Sequence, residues 1–468
     1  MSTVEYLAQV VLSDLLRNKW GDLTDLARQY GDPVARRLRD GPIIPSATAE
    51  GEEGGMLFQF VTSKADTARA TRDMNRDFVL PDTFQGAKIR VRHDQVNAAN
   101  NDLNRIESGF RIKLAELHAV GQDSGRALGV AERAMNDATD AVVGTYERLM
   151  HADENAVLGT VSVTPRNNDS TRYSACTTYT SGATQARFQV SGLPIGYYKR
   201  GMRLDFTHAS TTALICGEIK VLDVNEDDNS IGVQVVSRSS VTNLNSLASG
   251  LRITMSGEFG NGFKGGLGST FKASYAGESW FNGIDRSEAQ YRWLHPVRVR
   301  ETETTLTAMT SRLFDRVMRA LSQRRGMDEM DAPLTAIAGE ELIDAFMERV
   351  GDSSIRTRSA ATPGPISTGE SGGFMYHHHS GKKVEMVSTP TARNDRFMLV
   401  DMTRYMKMSG DFKGWKWLSG TDGRNILERV QGAGVNGEGT TSYKAEGLVF
   451  TGVLTTDSES QACVFQVN

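Results

Sequence analysis

Residues 123–153, "DSGRALGVAERAMNDATDAVVGTYERLMHAD", constrain the fold more than any other stretch of this chain. Leu128, Ala131, Met135, Ala138, Val142, Tyr146 and Leu149 recur at three- and four-residue intervals, which puts them on one stripe of an α-helix. Asp123 or Ser124 can cap its first turn. At 1.5 Å per residue, about 30 residues extend roughly 45 Å. That is longer than a compact domain needs, so the pattern predicts a spine on which other elements are laid.

The segments before it look like extensions rather than a domain. Val4, Leu7, Val11 and Leu15 mark a short helix; Pro33, Pro42 and Pro45 then keep the chain extended, and "AEGEEGG" (49–55) is a joint. "MLFQFVTSK" (56–64) and "AKIRVRHDQV" (87–96) alternate as strands around a long polar excursion, which predicts a projecting hairpin. A lone hairpin is marginal in water, so its tip is expected to rest on a neighbour. Lys64, Arg69, Arg72, Arg76, Lys88, Arg90 and Arg92 outnumber Asp66, Asp73, Asp77 and Asp82 here. They make either a solvated loop face or a basic finger seated on an acidic surface of the next copy, in which case assembly is salt-sensitive.

After the spine the pattern changes. Residues 188–257 read as short strands near 202–207, 213–224, 230–237 and 250–256, separated by turns such as "NEDDNS". The glycine-rich "GEFGNGFKGGLGST" (257–270) leads to "GESWFNGIDRSEAQYRWLHP" (277–296), which concentrates aromatic and charged residues. A second amphipathic helix is predicted over 304–326, with Leu306, Met309, Leu313, Val317 and Leu321 inward, and a third over 339–351. Strands follow at 382–389 and 396–402, and 447–467 reads as a terminal hairpin. Helices and strands of mixed spacing make the fold class α+β.

Chemistry is hard to find in this pattern. Cys176, Cys216 and Cys463 are scattered, with neither a CxxC pair nor a disulfide framework. His377, His378 and His379 are consecutive, and successive strand residues point to opposite faces, so they do not converge on one ion. "GAGVNG" (432–437) fits G-x-G-x-x-G, but the preceding "NILERVQ" looks helical and "EGTTSYK" follows, which is the wrong context for a dinucleotide. "GFKGGLGST" lacks the Lys-Ser/Thr ending of a phosphate loop, and no nucleophile elbow occurs. No catalytic residue, cofactor or metal site is expected, and the chain is read as no enzyme. A formal charge of −4 argues against a protein that wraps nucleic acid through a global positive charge, yet allows one that encloses it. No apolar run suggests a membrane span.

Arm, hairpin, spine helix, β-module, the "SWFNGIDRS" segment, long helix and terminal strands, in this order, resemble a tailed-bacteriophage major capsid protein of the Hong Kong 97 fold. "GESWFNGIDRSEAQYRW" is similar to the glycine-aromatic-Gly-x-Asp-Arg-Ser segment that leads into the peripheral-domain helix of that family. The resemblance implies an N-terminal arm over 1–55, an extended loop over 56–100, and a peripheral domain with the spine helix over 101–187. The β-module at 188–257 is then an insertion, followed by more peripheral domain at 258–330, an axial domain at 331–445 and C-terminal strands at 446–468 that rejoin the peripheral domain. It also implies self-assembly into pentamers and hexamers of an icosahedral shell around double-stranded DNA, without sequence-specific binding. The implied partners are the chain itself, a portal, and scaffold or decoration proteins. The implied place is the virion, assembled in the cytoplasm of a host bacterium. The strand-like loop begins near residue 56, so removal of a long N-terminal scaffolding segment is not expected. An encapsulin-like compartment of the same fold is the alternative, and a small soluble enzyme built on the β-module is the contrasting class.

Within this frame Trp280, Phe281, Tyr291 and Trp293 are packing residues, either beneath the 304–326 helix or between copies. Asp285 and Arg286 are expected at a contact between subunits, where an arginine fork suits paired recognition.

Overall fold

Helix α1 spans Ser124–His151, within two residues of the stretch predicted from its apolar stripe. Ala138, Val142, Tyr146 and Leu149 are buried along that stripe. Arg148 and His151 in the last turn complement the negative end of the helix dipole. The computed structural model describes residues 34, 56–61, 84–89, 104–113, 124–161, 185–208, 213–236, 250–260, 262–263, 265–272, 279–280, 284–287, 295–303, 305–325, 334–350, 355–356, 374–377, 383–389, 391–409, 416–417, 428–432, 440–455, 458 and 461–467.

The chain divides into two units. One comprises Met1–Gly31, Leu103–Glu147 and Met408–Thr451; the other comprises Asp32–Asp102, Arg148–Lys407 and Gly452–Asn468. In the first, strand Asn104–Lys113 lies antiparallel to the long strand Thr440–Thr455, from Asn104↔Thr451 to Lys113↔Ser442. Strand Glu428–Gly432 pairs antiparallel with the same long strand, Gly432 opposite Thr440. "NILERVQ" therefore ends in a strand rather than the helix its pattern suggests. Of "GAGVNG" only Gly432 is described, and the next described element is the antiparallel strand that begins at Thr440, where a dinucleotide loop would lead into a helix.

The second unit holds a closed six-stranded barrel. Its strands are β1 (Gly159–Val161), β2 (Gln185–Gly192), β3 (Arg203–Thr207), β4 (Leu214–Asn225), β5 (Ser230–Val235) and β6 (Arg252–Met255). They run around it in the order β1-β2-β5-β4-β3-β6. Four of them match the expected module, while β1 and β2 close it, so the β-structure begins ahead of residue 188. Closure leaves no edge strand exposed. The interior is apolar, with Phe188 and Phe206 edge to face at 5.4 Å among Ala186, Leu204, Ile219, Val221, Ile231, Val233 and Ile253. A bulge lets β4 bend: Glu218 takes φ +54°, and the Asp205 carboxylate accepts from Glu218 N at 2.8 Å and from Gly257 N at 2.9 Å.

The same unit contains a mixed seven-stranded sheet. Its strands are β7 (Val297–Val299), β8 (Leu334–Ala338), β9 (Ile355–Arg356), β10 (Phe374–His377), β11 (Lys383–Ser388), β12 (Arg396–Val400) and β13 (Ala462–Phe465). They lie in the order β7-β13-β12-β8-β11-β10-β9. Strand β8 is buried at every position, as "LTAIA" suggests for a central strand, and runs parallel to β11.

Helices α2 (Ser311–Arg325) and α3 (Glu340–Val350) pack on this sheet. Phe314, Phe346 and Phe397 form a cluster of rings with centroids 5.7–6.0 Å apart. Phe314→Ala removes the ring shared by two of these contacts and is expected to cost about 4 kcal/mol, read as a shift of the urea midpoint.

Two expectations change here. Helix α2 starts at Ser311 rather than near 304, where Thr310 Oγ1 accepts from Leu313 N at 3.3 Å, and Leu306 is 56% exposed instead of inward. The two C-terminal strands form no hairpin: Thr440–Thr455 pairs with Asn104–Lys113, while β13 lies between β7 and β12. Within the second unit a buried polar node precedes β13, with Tyr405 Oη donating to Gln461 Oε1 at 2.9 Å and Gln461 Nε2 to Thr455 Oγ1 at 2.8 Å.

Candidate assembly elements and a buried charge junction

Strands Met56–Val61 and Phe84–Ile89 pair antiparallel in continuous register, from Met56↔Ile89 to Val61↔Phe84. Among the described strands they join no larger sheet. Lys88 stands opposite Leu57. Lys64, Arg69, Arg72, Arg76, Arg90 and Arg92 lie outside the described residues.

In the aromatic segment, Trp280 pairs with Ile284 and Ser279 with Asp285 in a two-residue antiparallel ladder. Phe281, Tyr291 and Trp293 lie outside the described residues. Arg286, expected at a contact between subunits, is instead fully buried within its own chain. Its Nη2 donates to the Ser269 carbonyl at 3.0 Å, and the His295 ring bonds the Arg286 carbonyl. A guanidinium enclosed this way ties its loop to the glycine-rich segment, and no surface of it is left for a neighbouring copy.

The glycine-rich segment is an element of close packing. Gly262 N donates to Glu154 O at 3.0 Å and Gly260 N to Asn155 O at 3.3 Å, so the chain runs along the turn that ends α1. A Cβ at Gly262 would stand 1.8 Å from Asp153 O, and one at Gly268 would stand 2.2 Å from Ala152 O. Only a residue without a side chain allows that approach.

Around this crossing lies a junction of charges that sequence reasoning missed. In the turn before β12, Arg393 grips Asp395 with both arms, Nε to Oδ1 at 3.0 Å and Nη2 to Oδ2 at 3.1 Å. Arg396 Nε stands 3.7 Å from the same Oδ1, its Nη1 donates to Phe271 O at 3.0 Å, and its guanidinium lies over the Phe465 ring. Asp153 faces both arginines and uses Oδ1 to accept from Asn155 N and Val157 N. Lys272 pairs with Glu154, and Arg148 pairs with Glu258 while donating to Tyr197 Oη at 3.3 Å.

Burial alone would raise the Asp395 carboxyl, but the Arg393 and Arg396 charges outweigh it and hold the group at about 2. Burial lowers Lys272 against the pull of Glu154, and pushes the Cys463 thiol up to about 12. With Cys216 and Cys463 both buried, neither thiol is set up as a nucleophile. Asn394 extends the junction to the barrel and α3, its N–H donating to Gly192 O at 3.4 Å and its Nδ2 to Glu341 Oε2 at 3.0 Å. The one sequence signal for it is "TARNDRF" (391–397), where two arginines flank an aspartate inside a turn.

The histidine run does not come together as a site. His377 closes β10 opposite Lys383, and His378 and His379 lie outside the described residues. Among the described residues, no helix is long and apolar enough to cross a membrane.

No family model matches the chain, and no curated protein matches it either. Among solved structures it is similar to the capsid asymmetric unit of cyanophage A-1(L), at 10% identity and TM-score 0.47, covering 94% of this chain and 93% of that one. It is also similar to the capsid of Ralstonia phage GP4, at 10% identity and TM-score 0.39, covering 90% and 87%. A shorter likeness is to the SrpI encapsulin of Synechococcus elongatus, at 11% identity and TM-score 0.22, covering 37% and 52%. At such identities no residue role passes from those proteins to this one.

Proposed function

We propose that this chain is a major capsid protein, a structural subunit that tiles with copies of itself into a closed icosahedral shell. The observation that carries the proposal is the Met56–Val61/Phe84–Ile89 ribbon, which pairs strand to strand and, among the described strands, with nothing else. A two-stranded ribbon is marginal in water unless it is packed on a surface, and a strand as apolar as "MLFQFV" needs one. Another copy of the chain supplies that surface in this reading.

Pentamers and hexamers close the shell, which encloses double-stranded DNA without reading its sequence. The mild negative charge suits that role, because a strongly basic wall would hold the DNA by counterion release. Portal, scaffold or decoration proteins are the partners beyond the chain itself. The virion is its destination after assembly in the cytoplasm of a host bacterium. In this reading the chain is no enzyme, and the buried charge junction is a structural tie.

Particles purified from producing cells, treated with nuclease and then opened, test the content. Protected double-stranded DNA is the expected result. Shells filled with protein alone would favour an encapsulin-like compartment.

A further inference from the structure

The barrel is electrically bipolar. Arg203, Lys220, Gln234 and Gln185 lie side by side across β3, β4, β5 and β2, through the pairings Arg203↔Lys220, Lys220↔Gln234 and Gln234↔Gln185. Lys199 and Arg200 stand in the turn that enters β3, and all four cations are exposed. Among the described residues, Glu218 alone forms an ion pair with this group, 3.8 Å from Arg203. The β4–β5 turn carries the opposite charge. Glu226 and Asp227 are exposed there, and the turn is fixed by Asn225 Oδ1 accepting from Asp227 N at 3.1 Å and by Ser230 Oγ donating to Asp228 Oδ1. Lys220 and Asn225 are separated by about 16 Å of strand at ~3.3 Å per residue, so the acidic turn does not reach the basic row of its own barrel.

We propose that the barrel is a docking module between copies of this chain, in which the Glu226–Asp227 turn of one copy seats on the Lys199/Arg200/Arg203/Lys220 row of another. Each barrel presents a rigid acidic tip and a rigid basic row, and two barrels related by a twofold axis satisfy both at once through a reciprocal contact. A polyanion fits less well, because it would use the basic row alone and leave the acidic turn unmatched. The inference uses the self-assembly proposed above and adds to it a specific surface and a specific partner.

The test is made in the full chain. Lys220→Cys and Asp227→Cys are introduced together, the protein is oxidised, and covalent dimers are counted on a denaturing gel beside particle images of the same sample. A bond within one chain is excluded, since a disulfide needs Cα atoms within roughly 7 Å. The expected result is a dimer band absent from the parent chain. It should fall about tenfold when Arg203→Glu is added and return when Glu226→Lys is added as well. Shells that form without the band, or a band indifferent to both charge reversals, would overturn the docking surface and leave the shell reading standing. A band without shells would support the surface and count against the shell. If Arg203→Glu and Lys220→Glu together weaken particles while Glu226→Lys and Asp227→Lys together change nothing, a polyanion is the partner and the proposal fails.

Discussion

Asp395→Asn should destabilise the folded chain by about 3 kcal/mol, although it changes a single oxygen to an amide nitrogen. Asp395 is gripped at 3.0 and 3.1 Å by Arg393, with Arg396 3.7 Å away, and both arginine side chains are no more than a fifth exposed. An amide there leaves two guanidinium groups in a largely shielded junction, with only Asp153, already engaged by Asn155 N and Val157 N, to face them. Breaking one side of such a network costs more than the network itself contributes, because the remaining charges stay desolvated.

The pH dependence has a definite sign. The carboxyl lies at about 2 in the folded chain against 3.8 for the ordinary group. Its contribution is therefore complete above 3.8 and is lost as pH falls toward 2, a loss of about 2 kcal/mol. Urea midpoints measured from neutral to acid pH should show the variant already weakened at neutral pH and less sensitive to acid than the parent. Identical curves would show that Asp395 holds nothing together.

Gly268→Ala should be at least as damaging, through sterics alone. The added methyl would stand 2.2 Å from Ala152 O and 2.3 Å from His151 O, both backbone atoms at the end of α1 that no rotamer change can clear. The segment must move off the helix end, at an expected cost of about 3 kcal/mol or more. Gly144→Ala is the matched control: a Cβ there meets nothing within 4 Å, and alanine favours a helix interior over glycine by roughly 0.9 kcal/mol. The pair predicts opposite shifts of the urea midpoint, and an unchanged midpoint for Gly268→Ala would contradict the close crossing.

How far the sequence could be read depended on whether a pattern was local. Helix α1 emerged to within two residues because its stripe is long. Four barrel strands were legible from turn-bounded alternation, but three-residue β1 is too short to leave a period, and β2 closes the barrel through partners distant in sequence. The "TTLTAMT" run kept helical spacing at Leu306 and Met309, yet only Met309 is buried, since α2 begins after Thr310. Glu428–Gly432 looked helical because nothing within it reveals the strand it pairs with. The charge junction was opaque for the same reason. Arg396 meets Phe271 O across 125 positions, and Arg148 meets Glu258 across 110. Arg286 looked like a surface fork because its acceptor, Ser269, belongs to a segment of ordinary glycine-rich appearance.

Electron cryomicroscopy of the purified protein decides whether copies of this chain build a shell. Hollow particles of uniform diameter that reconstruct with icosahedral symmetry are expected, with the Met56–Val61/Phe84–Ile89 ribbon lying on an adjacent copy. A field of separate single chains, with that ribbon folded against its own body, would contradict the shell reading.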